Sequence, residues 1–512
     1  MGLQIHEFQV ISGNYLYDIG VLHRVMFIFR PGRMKLKTCF VAVLVSLPLL
    51  STMPSLAQVN LPVLGNSVSG TISTQQEYEY GREFLRSVRR ETLLLDDPLI
   101  QEYIISLTYK LAATSELTDH RLDFVLIDSD VLNAFAAPGG IIGVNAGLFL
   151  YADNEGQMAS VLAHELAHIS QRHYARSIEE ARASTLPNMA GLLASLVIAA
   201  AAGGDAGQAA LMTSQAIGVE NQLRFSRSNE EEADRIGIRN LYNAGFDPQD
   251  MAGMFEQMLR MRGFSRRPPE FLSTHPLDEN RIADSRNRAN SYGFVGHIPN
   301  PEFLLMKERV VMHYATNLES EIDSRQRALP RLNGQQADAA RYGIALAQLK
   351  SGRTIDAVET LETLLQKNPT SITYAMLAAD IAREAQNFEK AFAILEEQLR
   401  INPGNHPLTM NYATTLASAG RFSDAARVLE LHSQSHPNDM QLWYDLAEIQ
   451  GQAGNISKVH QARAEYFICI GDFTHAREQL AFAMDLEKER LARARIQQRL
   501  DYIRDITTRF YR

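Results

Sequence analysis

The sequence predicts an α+β, mostly helical chain: a first part of helices with a small sheet, followed by an all-α solenoid. Three observations carry that prediction. Amphipathic segments recur at helical spacing, two short β-rich segments precede residue 150, and the last third repeats with a period of 34 residues. At 512 residues the chain is too long for a single core. It divides on this reading into 1–33, a stretch ahead of the translation start expected at Met34; 34–57, a signal peptide; 58–325, the part with the small sheet; and 335–512, the repeats.

From Met34 the chain reads MKLKTCFVAVLVSLPLLSTMPSLAQ. Lys35 and Lys37 precede an apolar run from about Cys39 to Leu50, and Ser55, Leu56 and Ala57 precede Gln58, which is the pattern of a cleaved secretory signal. The run is short of the roughly 20 apolar residues that a membrane span needs. Removing residues 1–57 takes away five basic and two acidic residues, so the net charge moves from -9 to -12. Such a balance excludes a nucleic-acid surface as the default. Cys469 is then the one cysteine left, which excludes disulfides and a redox centre.

RLDFVLIDS (121–129) reads as a strand, and GGIIGVNAGLF (139–149) as a second, entered through Pro138 and a glycine pair. The second either offers an edge for an extended substrate backbone or closes an internal hairpin.

The next stretch is SVLAHELAHISQRH (160–173). Asn154 with Gln157 reads as a helix N-cap pair, and Val161, Leu162, Leu166 and Ile169 form a buried stripe. Residues i and i+4 share a helix face, so His164 and His168 can present two imidazoles to one cation. Glu165, about 100° further round, stands beside that cation, where a general base takes a proton from an activated water. His173 falls off the ligand face and reads as structural. A catalytic zinc takes three protein ligands. Downstream, RFSRSNEEEADRIGIRNL (224–241) puts Glu230 and Asp234 at i and i+4, one able to bind metal while the other orients a ligand histidine. Glu231 and Glu232 point elsewhere.

Four segments in this order, NAFAAPGGIIGVNAGL (133–148), HELAH (164–168), NEEEAD (229–234) and STHPLDENRI (273–282), resemble the HtpX-like and CAAX-prenyl-protease-like zinc metallopeptidases. The resemblance implies a zincin-type metalloprotease domain with one zinc per subunit. It implies His164, His168 and Glu230 as metal ligands, Glu165 as catalytic base and Asp234 as the acid behind a ligand. In the similar-looking periplasmic, beta-barrel assembly-enhancing subgroup, a histidine at the place of His275 fills the open zinc position. His275 reads either as such a latch or as a donor to the oxyanion. Arg281 is a second candidate for the oxyanion or for a ligand carboxylate.

NMAGLLASLVIAAAA (188–202) would rise only about 22 Å as a helix and does not span a bilayer. It reads either as a buried helix or as an apolar flap that touches membrane or client.

Counting by 34 gives Ala345, Ala379, Ala413 and Ala447; Ala357, Ala391 and Ala425; Pro369, Pro403 and Pro437; and Gly352, Gly420 and Gly454, with Gln386 the exception. This is a tetratricopeptide array, extended by AEYFICIGDFTHAREQLAFA (464–483) and a basic helix near 487–512. Together with the resemblance, the array implies a periplasmic zinc endopeptidase. It would act on misassembled proteins beside the outer-membrane barrel assembly machinery, with the repeats bringing the client. The alternative is a chaperone or scaffold acting through the repeats over a latched metal site. The sequence also leads one to expect metal binding by the catalytic half without residues from 335 onward.

Overall fold

The computed structural model describes residues 72–177, 226–264, 269–293, 296 and 300–510, and the elements below are numbered over them. The signal segment 34–57 and the apolar stretch 188–202 lie outside the described residues.

The first part opens with α1 (Thr74–Glu91), whose Ser73 and Gln76 close a capping box, and α2 (Pro98–Ala112), capped by Asp97. A three-stranded sheet follows, β1 (Asp123–Ile127), β2 (Ala134–Ala137) and β3 (Ile141–Asn145), in the order β1-β3-β2. β1 runs parallel to β3, with Val125 opposite Gly143, and β2 runs antiparallel to it, with Ala136 opposite Ile142.

Two features differ from the sequence reading. The segment 139–149 is a strand only over Ile141–Asn145; at Gly147 the chain turns into a short helix, α3 (Gly147–Tyr151), which is what buries Leu148 and Phe149. That strand also sits in the centre of the sheet, so it offers no edge. The edge on the side of Glu165 belongs to β2, four residues buried on both faces and therefore without the alternation by which a strand is recognised.

α4 (Glu155–Ser170) carries the HELAH residues. Asn154 accepts from the Gln157 N–H at 2.8 Å, while the Gln157 side chain reaches back to the Asp153 N–H at 2.9 Å, one residue earlier than in a standard capping box. α5 (Arg227–Asn243), capped by Ser226, crosses α4 closely because Gly237 has no side chain. A Cβ there would lie 2.9 Å from the Met251 methyl and 3.3 Å from the His164 backbone nitrogen. α6 (Gln249–Phe264), the single turn α7 (Phe271–Thr274) and α8 (Glu279–Tyr292) close the other side of the site. Next come α9 (Pro301–Tyr314) and α10 (Leu318–Ala328).

The repeats are helical hairpins: α11 (Gly334–Lys350) with α12 (Thr354–Lys367), α13 (Ile372–Glu384) with α14 (Phe388–Ile401), α15 (His406–Ser418) with α16 (Phe422–His432), and α17 (Met440–Gln452) with α18 (Ile456–Ile470). α19 (Phe473–Leu486) and α20 (Arg490–Phe510) end the array. The small residues of the 34-residue count are the close contacts: Ala345, Ala379, Ala357, Ala391 and Ala425 are fully buried. One hydrophobic cluster runs from Leu99 on α2 through α4, α6 and α9 to Leu408 on α15, so catalytic part and first repeats share a core. Among the described residues no helix is long and apolar enough to cross a membrane.

Candidate metal centre

Two helices and one turn build the centre. α4 supplies His164 and His168, one helical turn apart, and Glu165 next to His164; α5 supplies Glu230 and Asp234, and His275 caps the C-terminal end of α7. His164, Glu165 and His168 are fully buried, and Glu230, Asp234 and His275 are nearly so.

One donor atom each from His164, His168, Glu230 and His275 lie within 4.8 Å of one another. His164 Nε2 is 3.0 Å from His168 Nε2, 3.3 Å from His275 Nδ1 and 3.5 Å from a Glu230 oxygen. Glu230 lies 3.0 Å from His275 Nδ1 and 3.6 Å from His168 Nε2. With zinc bonds of about 2.1 Å, the ligand atoms of a tetrahedral site stand about 3.4 Å apart. The observed separations fit that edge, and the donor set is the nitrogen and carboxylate mixture that zinc takes, so these residues fit a zinc ion.

The surrounding groups fix the ligands. His164 Nδ1 is 3.0 Å from Asp234 Oδ1, so with a cation at Nε2 the ring's remaining proton would sit on Nδ1, facing that carboxylate. Arg281 grips Asp234 with two bonds of 2.8 and 2.7 Å and reaches Glu230 at 2.9 Å, so it holds both carboxylates. Glu165 Oε2 accepts from the Ala136 N–H of β2 at 2.7 Å, and its Oε1 lies 3.4 Å from His275 Nε2. Burial raises the Glu165 carboxyl above its ordinary range, against the pull of His275 and His164. Burial works the same way on Glu230, but His275 and His164 outweigh it and hold that carboxyl well below the ordinary range. On His164, burial opposes the proton while Asp234 and Glu230 favour it, and its pKa is pushed up to about 10.

Every site residue read from the sequence therefore lies in one cluster, with Arg281 on the carboxylates rather than at an open edge. Residues beyond that reading also take part. His173 Nδ1 is 2.9 Å from His168 Nδ1, and its other nitrogen is 3.2 Å from Glu232, which Arg176 holds at 2.8 Å. Projecting α4 as a continuous helix hid this contact. The helix ends at Ser170, and Arg172 takes a left-handed conformation, φ 53°, that swings His173 back onto His168. Glu77 and the Ile72 carbonyl hold the Arg172 guanidinium in place.

Residues 98–289 match the family described as Peptidase family M48, and residues 342–406 and 382–449 match tetratricopeptide repeats. The Putative beta-barrel assembly-enhancing protease of Vibrio cholerae is 34% identical over 333 residues, which cover 64% of this chain and 69% of that protein. The chain belongs to peptidase family M48. The Beta-barrel assembly-enhancing protease of Escherichia coli (strain K12) is 39% identical over 63% of this M48 chain and 66% of its own length. The Mitochondrial metalloendopeptidase OMA1 of Schizosaccharomyces pombe is 32% identical over 40% of the chain and 55% of its own length. The chain thus spans about two thirds of the length of the assembly-enhancing proteases it matches.

Proposed function

We propose that this M48 chain is a zinc-dependent endopeptidase of envelope quality control, with His164, His168 and Glu230 holding the ion, Glu165 as base and His275 as a latch. The observation that carries the reading is the convergence of four buried donor atoms with the Glu165 carboxyl directly beside them. Zinc bound there would supply Lewis acidity, polarising a scissile carbonyl and making a neighbouring water acidic enough to attack at neutral pH.

The chain's own groups do the rest. Glu165, anchored by the Ala136 N–H, takes the proton of the attacking water and returns it to the leaving amine. Its burial raises proton affinity, which suits a base. Asp234 fixes the His164 ring, and Arg281 holds Asp234 in place with two hydrogen bonds. β2 is the strand edge nearest Glu165, and an extended substrate backbone laid along it would pass the base.

In this reading residues 34–57 direct export, 58–325 form the catalytic domain, 335–512 deliver clients, and the protein works in the periplasm. The names of the similar proteases support barrel precursors as clients and contact with the barrel assembly machinery. The stretch 188–202 is the candidate for contact with membrane or client.

His275 supports a closed resting state. Its Nδ1 stands among the ligand atoms and its Nε2 faces Glu165, which is the place an attacking water needs. The oxyanion role would require this ring to turn out of the ligand set. The test is cleavage of casein by His275→Ala with zinc content recorded. Retained zinc with faster cleavage is the expected result. A loss of about 100-fold would point to the oxyanion role instead, and unchanged cleavage with full zinc would remove both roles.

A further inference from the structure

The repeats hold a second convergence of imidazoles. His406 opens α15, His432 closes α16, and His436 stands in the turn that leads to α17. One ring nitrogen of each lies within 4.8 Å of the others. His406 Nδ1 is 3.0 Å from His432 Nε2, and the His436 ring centre lies 4.1 Å from that of His432 and 4.9 Å from that of His406. The three rings of the catalytic centre stand 4.7, 5.1 and 5.0 Å apart, so the two trios are of similar size. The rings of the second trio are closer to parallel, at 17° to 30°, so holding an ion would require the partly exposed His436 ring to turn about its side-chain bonds.

Two further observations point to a cation. His406 Nε2 is 3.3 Å from Asp439 Oδ2. A carboxylate on the outer nitrogen fixes the proton there and leaves Nδ1 as a lone-pair donor toward His432, as behind a metal-bound histidine. The surroundings are acidic: Asp96, Glu102, Asp123 and Asp439 line the same cavity as His406 and His436. A cation there would relieve this crowding.

We propose that His406, His432 and His436, with Asp439 behind His406, form a second metal site that takes a divalent transition ion of the zinc class. Three imidazoles select such an ion over calcium or magnesium, which take oxygen ligands. The ligands come from α15, α16 and the turn before α17, so the ion clips two successive repeats. It does so on the wall of a cavity of about 470 Å³, whose opposite side is formed by Asp96, Glu102 and Asp123 of the catalytic part.

The test counts zinc in the full chain after loading with zinc alone and desalting. Wild type is expected to hold two equivalents and His406→Ala/His436→Ala one, with casein cleavage retained. Glu230→Ala should keep the equivalent held by the repeats, so a failed catalytic assignment and a failed second site give different counts. His436→Gln, at a partly exposed position, is the variant least able to disturb folding, and in competition with a chelator its second equivalent should bind about tenfold or more weakly. Equal zinc in wild type and the double variant, or unchanged affinity in His436→Gln, would overturn the second site.

Discussion

His168 faces two ways, with one nitrogen toward Glu230 and His164 and the other toward His173, and behind His173 stand Glu232 and Arg176. Such outer contacts typically contribute 10- to 100-fold in metal affinity. His173→Ala is therefore expected to weaken zinc binding by about that factor while leaving saturated activity less affected, as zinc-dependence curves of casein cleavage would reveal. Unchanged zinc affinity would leave His173 as packing alone. His164→Ala, His168→Ala and Glu230→Ala should instead lose the catalytic ion, because two remaining protein ligands rarely hold it. Full occupancy in Glu230→Ala, by elemental analysis, would send the ligand role to another carboxylate. The convergence of His164 and His168 was legible because i and i+4 on a helix determine a shared face. The His173 contact was not, because it depends on where α4 stops and on the left-handed turn at Arg172.

At the scale of elements, the 34-residue period located the hairpins, and its one irregular position is informative. Gly352, Gly420 and Gly454 end the first helices of their repeats with φ of 74°, 75° and 78°, and Gln386 occupies the equivalent place with φ 57°. A side chain in that conformation costs about 1 kcal/mol or somewhat more. Gln386→Gly should thus stabilise the array by roughly 0.5–1 kcal/mol after the entropy of a more flexible unfolded chain is counted, and Gly420→Ala should destabilise it by about 1 kcal/mol. Denaturant melts of both variants check the pair. Destabilisation by Gln386→Gly would mean that the side chain, not the backbone, decides that position. The sheet was less legible than the repeats. β1 and β3 carry runs of β-branched and large apolar residues, whereas β2 is Ala134, Phe135, Ala136 and Ala137, whose burial on both faces comes from packing and not from pattern.

Across the whole molecule, the sequence suggested a catalytic part able to bind metal without the repeats, but the core joins the two. Tyr342, Ile344, Leu361 and Leu364 of α11 and α12 are buried in the cluster that contains Leu162 and Leu166 of α4. Arg309 of α9 bonds both Asp97 at the start of α2 and the Tyr342 hydroxyl, each at 2.8 Å. Uncovering each such apolar side chain costs about 1.5–3 kcal/mol. A chain that stops near Leu332 is therefore expected to melt well below the full protein or to aggregate, and a truncated form with unchanged melting temperature would show that the shared core contributes little. That junction was hidden in the sequence because the apolar residues of α9 and α11 could equally have closed two separate cores. In the proposed mechanism His164, His168 and Glu230 hold a zinc ion, which Glu165 turns to peptide hydrolysis. The most direct test is parallel measurement of zinc content and casein cleavage for wild type and Glu165→Gln, whose amide preserves shape but cannot take the proton. Equal zinc with cleavage reduced to background is the predicted result, and equal cleavage by the two proteins would contradict it.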